Sequence, residues 1–223
     1  MNIEDCLHSL TAQRTECPYE LLIVDTQSKD RTLEIASRYG ARIISEERPG
    51  KSIARQKGAE AAMGEILCFT EADCQVPETW IETIVQTFKA DAKAIAITGG
   101  YTFAKSDWFY NLLARIFLPV SVYLFYLFYG HHSLRATNFA IRTGAFREIG
   151  GFNTATKELD DVELSMRAKN QGSIRFIPAM AIQTLDRRLR NRLGTFVKEF
   201  MISFYQVCIR RQAAKVSIYK DIR

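Results

Sequence analysis

The sequence lacks most features of secreted, fibrous and disordered proteins. Its five cysteines are an odd number and contain no C-x-x-C pair, which favours a reduced, cytoplasm-facing protein. No charged, apolar and small-residue series of the signal-peptide type opens the chain, which also favours a cytoplasmic location. Internal repeats and low-complexity stretches are missing too. With 223 residues, 47% of them hydrophobic, the chain can bury one large core or two closely joined halves.

The sequence also lacks an apolar run of comfortable membrane-spanning length. The uncharged stretch 116–129 has 14 residues, or roughly 21 Å of helix against a hydrocarbon core of roughly 30 Å. Extending it back to Trp108 places Arg115 near its middle and Pro119 inside the helix. Two placements remain open for the aromatic segment 108–129. It is either a helix lying in the plane of a membrane or a buried core helix.

Negative charge is scarce at the end of the chain. From Arg187 onward the acidic residues are Glu199 and Asp221, and basic residues carry much of the net charge of +5. Apolar side chains such as Phe196 and Phe200 interleave with them, which favours the anionic inner face of a membrane over nucleic acid. A solvated helix face is the simpler alternative. We therefore expect a basic amphipathic segment over 186–223 and no nucleic-acid partner.

The sequence shows a regular alternation of helix and strand patterns. Apolar runs predict strands at 20–24, 41–45, 65–70 and 94–98, with amphipathic helices between them. The pattern predicts an α/β fold, with a mainly parallel sheet covered by helices on both faces. Further strands are expected at 136–142, 174–177 and 180–182, with a helix from about Asp160 to Gln171.

The alternation begins with a helix, because Ile3, Cys6, Leu7 and Leu10 recur at helical spacing. No strand precedes that helix to pair beside 21–24. Either the sheet begins late, or the chain is shorter than a complete domain.

Two carboxylates follow the strand at 65–70. Glu71 and Asp73 stand where parallel strands open into the ligand crevice of an α/β sheet. Hard oxygen ligands suit Mg²⁺ or Mn²⁺ carrying a phosphorylated substrate. The alternative is a strand that leaves the sheet through a polar turn, with Asp73 capping the next element.

Two further polar clusters occupy similar positions. Asp25, Ser28 and Asp30 lie between a strand and a helix start that can receive an anion. An ordinary turn capped by Asp30 is the alternative. Asp160 and Asp161 gather at a later helix start, where carboxylates are also favourable simply because of the helix dipole.

Taken in order, these motifs resemble those of the family 2 glycosyltransferases, which are inverting enzymes of the GT-A fold that use nucleotide-diphospho-sugars. VDTQSKDRT (24–32) resembles the family's nucleotide motif, and Glu71-Ala72-Asp73 stands where its D-x-D metal motif belongs. ATNFAIR (136–142) and GGF (150–152) resemble the acceptor-side stretches. DDVELSMR (160–167) resembles E-D-x-D-L-x-x-R.

The resemblance implies a role for each matching residue. Asp25, within the motif that holds Ser28 and Asp30, would bind the nucleoside, and Arg55 is a weaker candidate for contact with the base. Asp73 would ligate Mg²⁺ or Mn²⁺ between the phosphates, while Glu71 would reach the ribose or a metal-bound water.

On the acceptor side, the resemblance makes Asp161 the catalytic base, with Asp160 beside it in the substrate site. The acceptor would be a saccharide or a lipid-linked molecule. The implied division is a nucleotide-sugar half (1–105), an acceptor half (106–185) and the basic segment (186–223).

The sequence departs from the family pattern in several places. Glu71 replaces the usual Asp, Thr26-Gln27 replace Asp-Gly, and Asp160 replaces Glu. The processive Q-x-x-R-W motif is missing, so we expect single-sugar transfer, with Arg187 and Arg188 holding the diphosphate. The family's opening strand, V-x-V-I-I-P-x-x-N-E, is also missing.

The sequence raises three alternative functions. A truncated, inactive relative that associates with membranes would explain the missing strand. A glycoside hydrolase would use Asp73 and Asp161 as its carboxylate pair, without the nucleotide motif or a metal. A nucleotidyltransferase would need a glycine-rich basic loop, for which the sequence has no candidate.

Overall fold

A computed structural model describes residues 2–104, 120, 122–155 and 159–185 of the protein. Its helices are α1 (Ile3–Thr11), α2 (Thr32–Arg38), α3 (Lys51–Ala61), α4 (Trp80–Ala90), α5 (122–129), α6 (Thr143–Glu148) and α7 (Asp160–Ala168). Its strands are β1 (Leu22–Asp25), β2 (Arg42–Ser45), β3 (Ile66–Thr70), β4 (Cys74–Gln75), β5 (Ala94–Thr98), β6 (Tyr101–Ala104), β7 (Asn138–Arg142), β8 (Ser173–Phe176) and β9 (Ile182–Leu185).

The described strands form three sheets. Their orders are β3-β7-β5-β8, β4-β9-β6 and β1-β2. The α/β class is confirmed, but the sheets are mixed rather than mainly parallel, because β7 runs antiparallel to both β3 and β5. The strand predicted at 180–182 is corrected in part: Met180 ends a 3₁₀ turn (Pro178–Met180), and the strand begins at Ile182.

The four-stranded sheet holds the core of the molecule. All five residues of β5 are buried, as are the first four of β7. Trp80, Ile84 and Phe88 of α4 cover one face. Side chains of α6 and α7 cover the other face, where Phe69 of β3 stacks on Phe139 of β7 with ring centroids 4.5 Å apart. Burial on both faces explains why β5 and β7 contain mainly apolar residues.

Asn138, at the start of β7, uses its side-chain amide to join three parts of the fold. Its Nδ2 donates to the carbonyl oxygens of Gly100 at 2.9 Å and Met180 at 2.7 Å. Its Oδ1 accepts from Trp80 Nε1 at 2.9 Å. A Cβ on Gly99 would lie 2.3 Å from Asn138 Nδ2, so this position has no room for a larger residue.

The two-stranded sheet is packed differently. Leu22, Ile23 and Val24 of β1 are only half-buried. Helix α3 covers one face closely, since a Cβ on Gly58 would lie 3.0 Å from Val24 Cγ2. Among the described strands, β1 pairs with β2 alone.

Helix α5 lies on α7 and presents aromatic side chains outward. Phe125 is buried against Leu159, Val162 and Met166, whereas Tyr123 is 65% exposed. None of the helices in the described ranges has the length and hydropathy needed to cross a bilayer. Residues 108–119 of the predicted aromatic helix and the basic segment 186–223 lie outside the described residues.

Candidate functional site

The end of β1 and the following turn form the first part of the site. Asp25 is buried, and both its carboxylate oxygens accept the backbone N–H of Ser28 at 3.2 Å. Gln27 adopts a φ of 65°, which turns the chain sharply at this point. Asp30 Oδ1 accepts the N–H of Thr32, the first residue of α2, at 3.0 Å. Hydrogen bonds from Thr32 lower the pKa of Asp30. Asp30 therefore stabilises the start of α2.

Glu71 follows β3 and faces two cations. Its Oε1 accepts from Arg55 Nη2 at 3.1 Å and lies 3.7 Å from Lys51 Nζ. Lys51 and Arg55 are four residues apart on α3, so they share one face of that helix. Glu71 is thus already engaged by two positive side chains, and its predicted contact with the ribose or a metal-bound water stays a prediction.

Asp73 lies close to two thiols. Burial raises the pKa of Cys6 to about 12 and that of Cys74 to about 11, and the Asp73 carboxylate adds to both shifts. The Sγ of Cys74 is 3.9 Å from Asp73 Oδ1. Both thiols therefore stay protonated near neutral pH, and carboxylate oxygens are the hard ligands at this end of β3.

The third part of the site is the start of α7. Leu159, which precedes the helix, has a φ of 56° and a ψ of 30°, a left-handed conformation that is costly for leucine. This turn directs two adjacent carboxylates into the protein. Asp160 is buried, and Asp161 accepts the N–H of Ala136 at 2.7 Å and of Val162 at 2.8 Å.

The surroundings of Asp161 change the pKa of its carboxyl group. Burial raises the pKa of Asp161, and the neighbouring Asp160 raises it further, while the two backbone N–H groups and Arg55 oppose the shift. A carboxylate with a raised pKa is a stronger base when ionised, so Asp161 is electrostatically suited to accept a proton.

Arg55 joins the second and third parts. Its Nη1 donates to Asp160 at 2.7 and 3.0 Å, and its Nη2 donates to Glu71 at 3.1 Å. Burial alone would lower the pKa of Arg55, but Asp160, Asp161 and Glu71 raise it, so it remains a cation. The predicted contact of Arg55 with the nucleobase stays a prediction. What the structure shows is a guanidinium between the two acidic clusters.

The glycine turn before α7 is fixed by residues that the sequence reasoning missed. Gln56 Oε1 accepts the N–H of Phe152 at 2.8 Å, and a Cβ on Gly151 would lie 2.3 Å from that same oxygen. Arg167 Nη2 donates to the carbonyl oxygen of Gly151 at 2.7 Å. Gln56 follows Arg55 directly. Neighbouring side chains of α3 therefore bind the acidic residues through Arg55 and the glycine turn through Gln56.

The structure brings most of the predicted residues together. One cavity of about 2440 Å³ is lined by Asp25, Ser28, Asp30, Arg55, Glu71 and Asp73. Asp160 connects to it through Arg55, and Asp161 is next to Asp160. Arg187 and Arg188, predicted to hold the diphosphate, lie outside the described residues.

The carboxylates after β3 fit a divalent cation that a substrate helps to bind. Within the described ranges, no group of three or more His, Cys, Asp or Glu side chains is arranged to hold a metal ion. Mg²⁺ usually takes only one or two protein carboxylates and fills its remaining positions with phosphate oxygens and water. Asp73, with Glu71 close behind it, supplies a donor set of that kind.

Known proteins share both the fold and the sequence pattern. Glycosyltransferase AglE of Haloferax volcanii is 26% identical over 186 residues, which are 77% of this chain and 58% of that protein. The glucosyl-dolichyl phosphate glucuronosyltransferase of the same organism is 26% identical over 176 residues, or 72% of this chain and 54% of its own length. The chain therefore spans somewhat more than half the length of these curated relatives.

Solved structures share the fold of this protein. The mannosyltransferase PcManGT from Pyrobaculum calidifontis, in complex with GDP-Man and Mn²⁺, superposes with a TM-score of 0.69 at 20% identity, covering 96% of this chain and 61% of that one. S. aureus TarS 1–349 with UDP-GlcNAc gives 0.65 at 19% identity, covering 82% and 54%. The fold is that of the GT-A glycosyltransferases. The family model for glycosyl transferase family 2 matches residues 2–150, and the chain belongs to that family.

Proposed function

We propose that this protein transfers one sugar from a nucleotide-diphospho-sugar to an acceptor hydroxyl, with inversion at the anomeric carbon. The observation that carries the proposal is the position of Arg55 between Glu71 and Asp160. This cation links the candidate phosphate side of the site to the candidate base. Family membership, and relatives named as glycosyltransferases, support the same activity.

The donor is proposed to occupy the cavity at the ends of β1 and β3. Asp25, whose carboxylate accepts the N–H of Ser28, accepts hydrogen bonds from the nucleoside. The nucleoside also lies against the turn that leads through Asp30 to the start of α2. Asp73 would hold Mg²⁺ or Mn²⁺, and the ion would neutralise negative charge on the diphosphate. Glu71 contacts the ribose or a metal-bound water. Arg187 and Arg188 are predicted to hold the diphosphate.

Asp161 is proposed as the catalytic base. Its carboxylate takes the proton of the acceptor hydroxyl while that oxygen forms a bond to the anomeric carbon. The bond from the anomeric carbon to the diphosphate oxygen breaks, and the diphosphate leaves with the electron pair. The N–H groups of Ala136 and Val162 hold the carboxylate in one orientation during this step.

A lipid-linked acceptor is favoured by the outward face of α5. Tyr123, Tyr126 and Leu127 are between 48% and 65% exposed there, on the helix that packs against α7. A relative is named for a dolichyl phosphate substrate, which is a lipid carrier. We propose that this face, with the basic segment 186–223, lies on the inner surface of a membrane. A soluble saccharide is the alternative acceptor.

The test is sugar transfer from labelled GDP-mannose, UDP-glucose and UDP-GlcNAc to lipid-linked and soluble acceptors, with product stereochemistry read by NMR. We expect transfer from one donor, loss of activity with EDTA, and recovery with Mg²⁺ or Mn²⁺. Asp161→Asn should lose at least roughly a hundredfold in kcat, the lower range for a general base. Glu148→Gln, an exposed acid on α6, is the matched control and should retain full activity.

Two outcomes would contradict the proposal. One is hydrolysis of a simple glycoside without a divalent ion, which is expected of a glycoside hydrolase. The other is the absence of both donor binding and transfer for every nucleotide-sugar, which is expected of the inactive relative.

A further inference from the structure

Phe125 faces inward on α5, a helix with three outward aromatic side chains. It is 8% exposed, whereas Tyr123, Tyr126 and Phe128 are between 46% and 65% exposed. The apolar side chains that pack against Phe125 from the α7 side are Leu159, Val162 and Met166. This buried ring therefore attaches the surface helix to the segment of chain that carries Asp160 and Asp161.

Two neighbouring rings fix the position of Phe125. Tyr129, one turn later on α5, stacks on it with ring centroids 4.7 Å apart. His131, in the loop after α5, meets it edge-on at 5.4 Å. Burial lowers the pKa of His131, so its ring is neutral near pH 7 and packs as an aromatic ring rather than as a cation. Phe125 is thus held by contacts on both sides.

Leu159 has a backbone conformation that needs support from its surroundings. Its φ of 56° and ψ of 30° lie in the left-handed region, which is unfavourable for leucine. It also precedes α7 without making a side-chain hydrogen bond to the free N–H groups of that helix. Strained residues of this kind persist where their neighbours hold them in place. The contact of its side chain with Phe125 supplies such support.

Asp161 is held between two segments of the chain. Its Oδ2 accepts the N–H of Ala136 at 2.7 Å, in the turn before β7. Its Oδ1 accepts the N–H of Val162 at 2.8 Å, in the first turn of α7. Both bonds form together only when the two segments are correctly placed relative to each other.

The two segments are anchored differently. The Ala136 segment is fixed in the core on its own, because Leu134 is buried in the cluster on the α7 face of the sheet. It also forms a closed turn, in which the N–H of Asn138 donates to the carbonyl oxygen of Arg135 at 2.7 Å. The α7 segment instead begins at the strained Leu159. The fit between the two segments therefore depends on how firmly Leu159 is held.

We propose that Phe125 is a positioning residue for the candidate base. Through Leu159 it holds the start of α7, so that the Asp161 carboxylate keeps both hydrogen bonds and one orientation toward the acceptor hydroxyl. Phe125 acts through Leu159 and Val162 and not by contact with the substrate. This role rests on the proposed function, because it concerns the base of that reaction.

Removing the ring should affect turnover and not donor binding. Phe125→Ala leaves a void between α5 and α7 and frees the Leu159 side chain. We expect kcat to fall roughly tenfold to a hundredfold, the range that a misplacement of about 1 Å can cause. The KM for the nucleotide-sugar should stay the same, because no described residue of α5 lines the donor cavity. Phe125→Leu keeps an apolar contact and should recover most of the loss.

Leu159→Gly separates the side chain of Leu159 from its backbone conformation. Glycine adopts a φ of 56° without strain, so a position with no role beyond the turn should accept it. Glycine also removes the contact with Phe125, so we expect kcat to fall as it does in Phe125→Ala. Leu159→Met keeps an apolar side chain of similar volume and should retain most of the activity.

A double variant tests whether Phe125 acts through the base. In Asp161→Asn the base is already lost, so adding Phe125→Ala should lower kcat no further. Ile97→Ala is the control for a general loss of packing, because Ile97 is fully buried on the α4 face of the sheet, opposite α7. It should lower the Tm and leave kcat unchanged.

Amide exchange by NMR, measured without any sugar, keeps this role separate from the proposed transfer. In Phe125→Ala the N–H groups of Ala136 and Val162 should exchange at least roughly tenfold faster, because their shared acceptor is no longer held in place. In Ile97→Ala they should change much less. If the wild type transferred no sugar but showed this difference, the proposed function would fail, while the positioning of Asp161 by Phe125 would stand.

Three results would overturn the positioning role. The first is unchanged exchange at Ala136 and Val162 in Phe125→Ala. The second is a wild-type kcat in Leu159→Gly. The third is an equal loss of kcat on Phe125→Ala with and without the Asp161 carboxylate, which would place its effect outside the base.

Discussion

The four-stranded sheet and the two-stranded sheet are built from similar sequences but are packed very differently. β5 has the run AIAIT and is buried at every position, whereas β1 has the run LIVD and is half-buried at its three apolar residues. Ala96 and Ile97 of β5 pack into the hydrophobic clusters on the two faces of the four-stranded sheet, whereas Leu22, Ile23 and Val24 are in neither cluster. Composition is therefore not what separates the two strands. They differ in their neighbours.

This difference indicates that the four-stranded sheet contributes more to the stability of the molecule than the two-stranded sheet. The four-stranded sheet has helices on both faces and bonded strands on both sides of its central strands β5 and β7, so nearly all side chains of those two strands are buried. The two-stranded sheet is attached mainly through α3. The site lies across the boundary between them, with Asp25 on one side and Glu71, Asp160 and Asp161 on the other.

The largest loss of stability is expected from a substitution in the core of the four-stranded sheet. Phe139→Ala removes a fully buried ring that stacks on Phe69, and should lower the free energy of unfolding by about 3–5 kcal/mol. Leu22→Ala, the control on the two-stranded side, should cost only about 1 kcal/mol because Leu22 is half-buried. Urea unfolding followed by circular dichroism measures both. Equal losses would show that the two sheets contribute equally.

The next effect concerns the ion pairs that span the boundary. Arg55→Met leaves the buried Asp160 carboxylate without its cation, and should cost about 3 kcal/mol. The double variant Arg55→Met/Asp160→Asn removes that charge and should recover part of the loss. Urea unfolding of both single variants and the double variant completes the cycle. Additive losses would mean that the two side chains are not coupled.

A smaller effect on stability is expected from the charge of Asp161, which lies beside the four-stranded sheet. Because burial and Asp160 raise the pKa of Asp161, ionising this carboxyl opposes folding, and stability falls as the pH rises from its unfolded pKa through the folded one. Asp161→Asn should therefore be more stable than the wild type near neutral pH, by less than the Arg55→Met effect. Below about pH 4, the ordinary Asp pKa, the difference should disappear. Tm measured against pH reads this directly, and a wild type more stable at neutral pH would reverse the assigned direction.

The smallest effect is expected at the outer edge of β2. Ile43 is 37% exposed, so Ile43→Thr should change the free energy of unfolding by no more than about 0.5 kcal/mol. The same urea unfolding measures it. A loss above 1 kcal/mol would indicate that this edge is packed against another part of the protein.

Local sequence patterns predicted much of this structure. The run at 94–98 is a strand with the predicted bounds, and the acids after 65–70 follow β3 as expected. The helix predicted from Asp160 begins there, although it ends at Ala168 rather than Gln171. Such features depend on residues close in sequence, where periodicity and turn residues carry the signal.

Pairings between distant residues were harder to predict. Arg55 and Asp160 are 105 positions apart, and no local pattern links them. The antiparallel insertion of β7 between β3 and β5 depends on how the chain returns after the aromatic segment. Lys51 and Arg55 did carry a usable signal, because two cations at helical spacing before an acidic strand end predict a contact with it.

The hydrogen bonds of Asn138 are formed together only when three chain segments are aligned correctly. Its amide bonds to Gly100 between β5 and β6, to Met180 at the end of the 3₁₀ turn and to Trp80 at the start of α4. If any of these segments shifted by one residue, a buried donor or acceptor would lose its hydrogen-bond partner. Each lost partner would cost about 1–3 kcal/mol. A single side chain thus favours one alignment of three chain segments over alignments shifted by a residue.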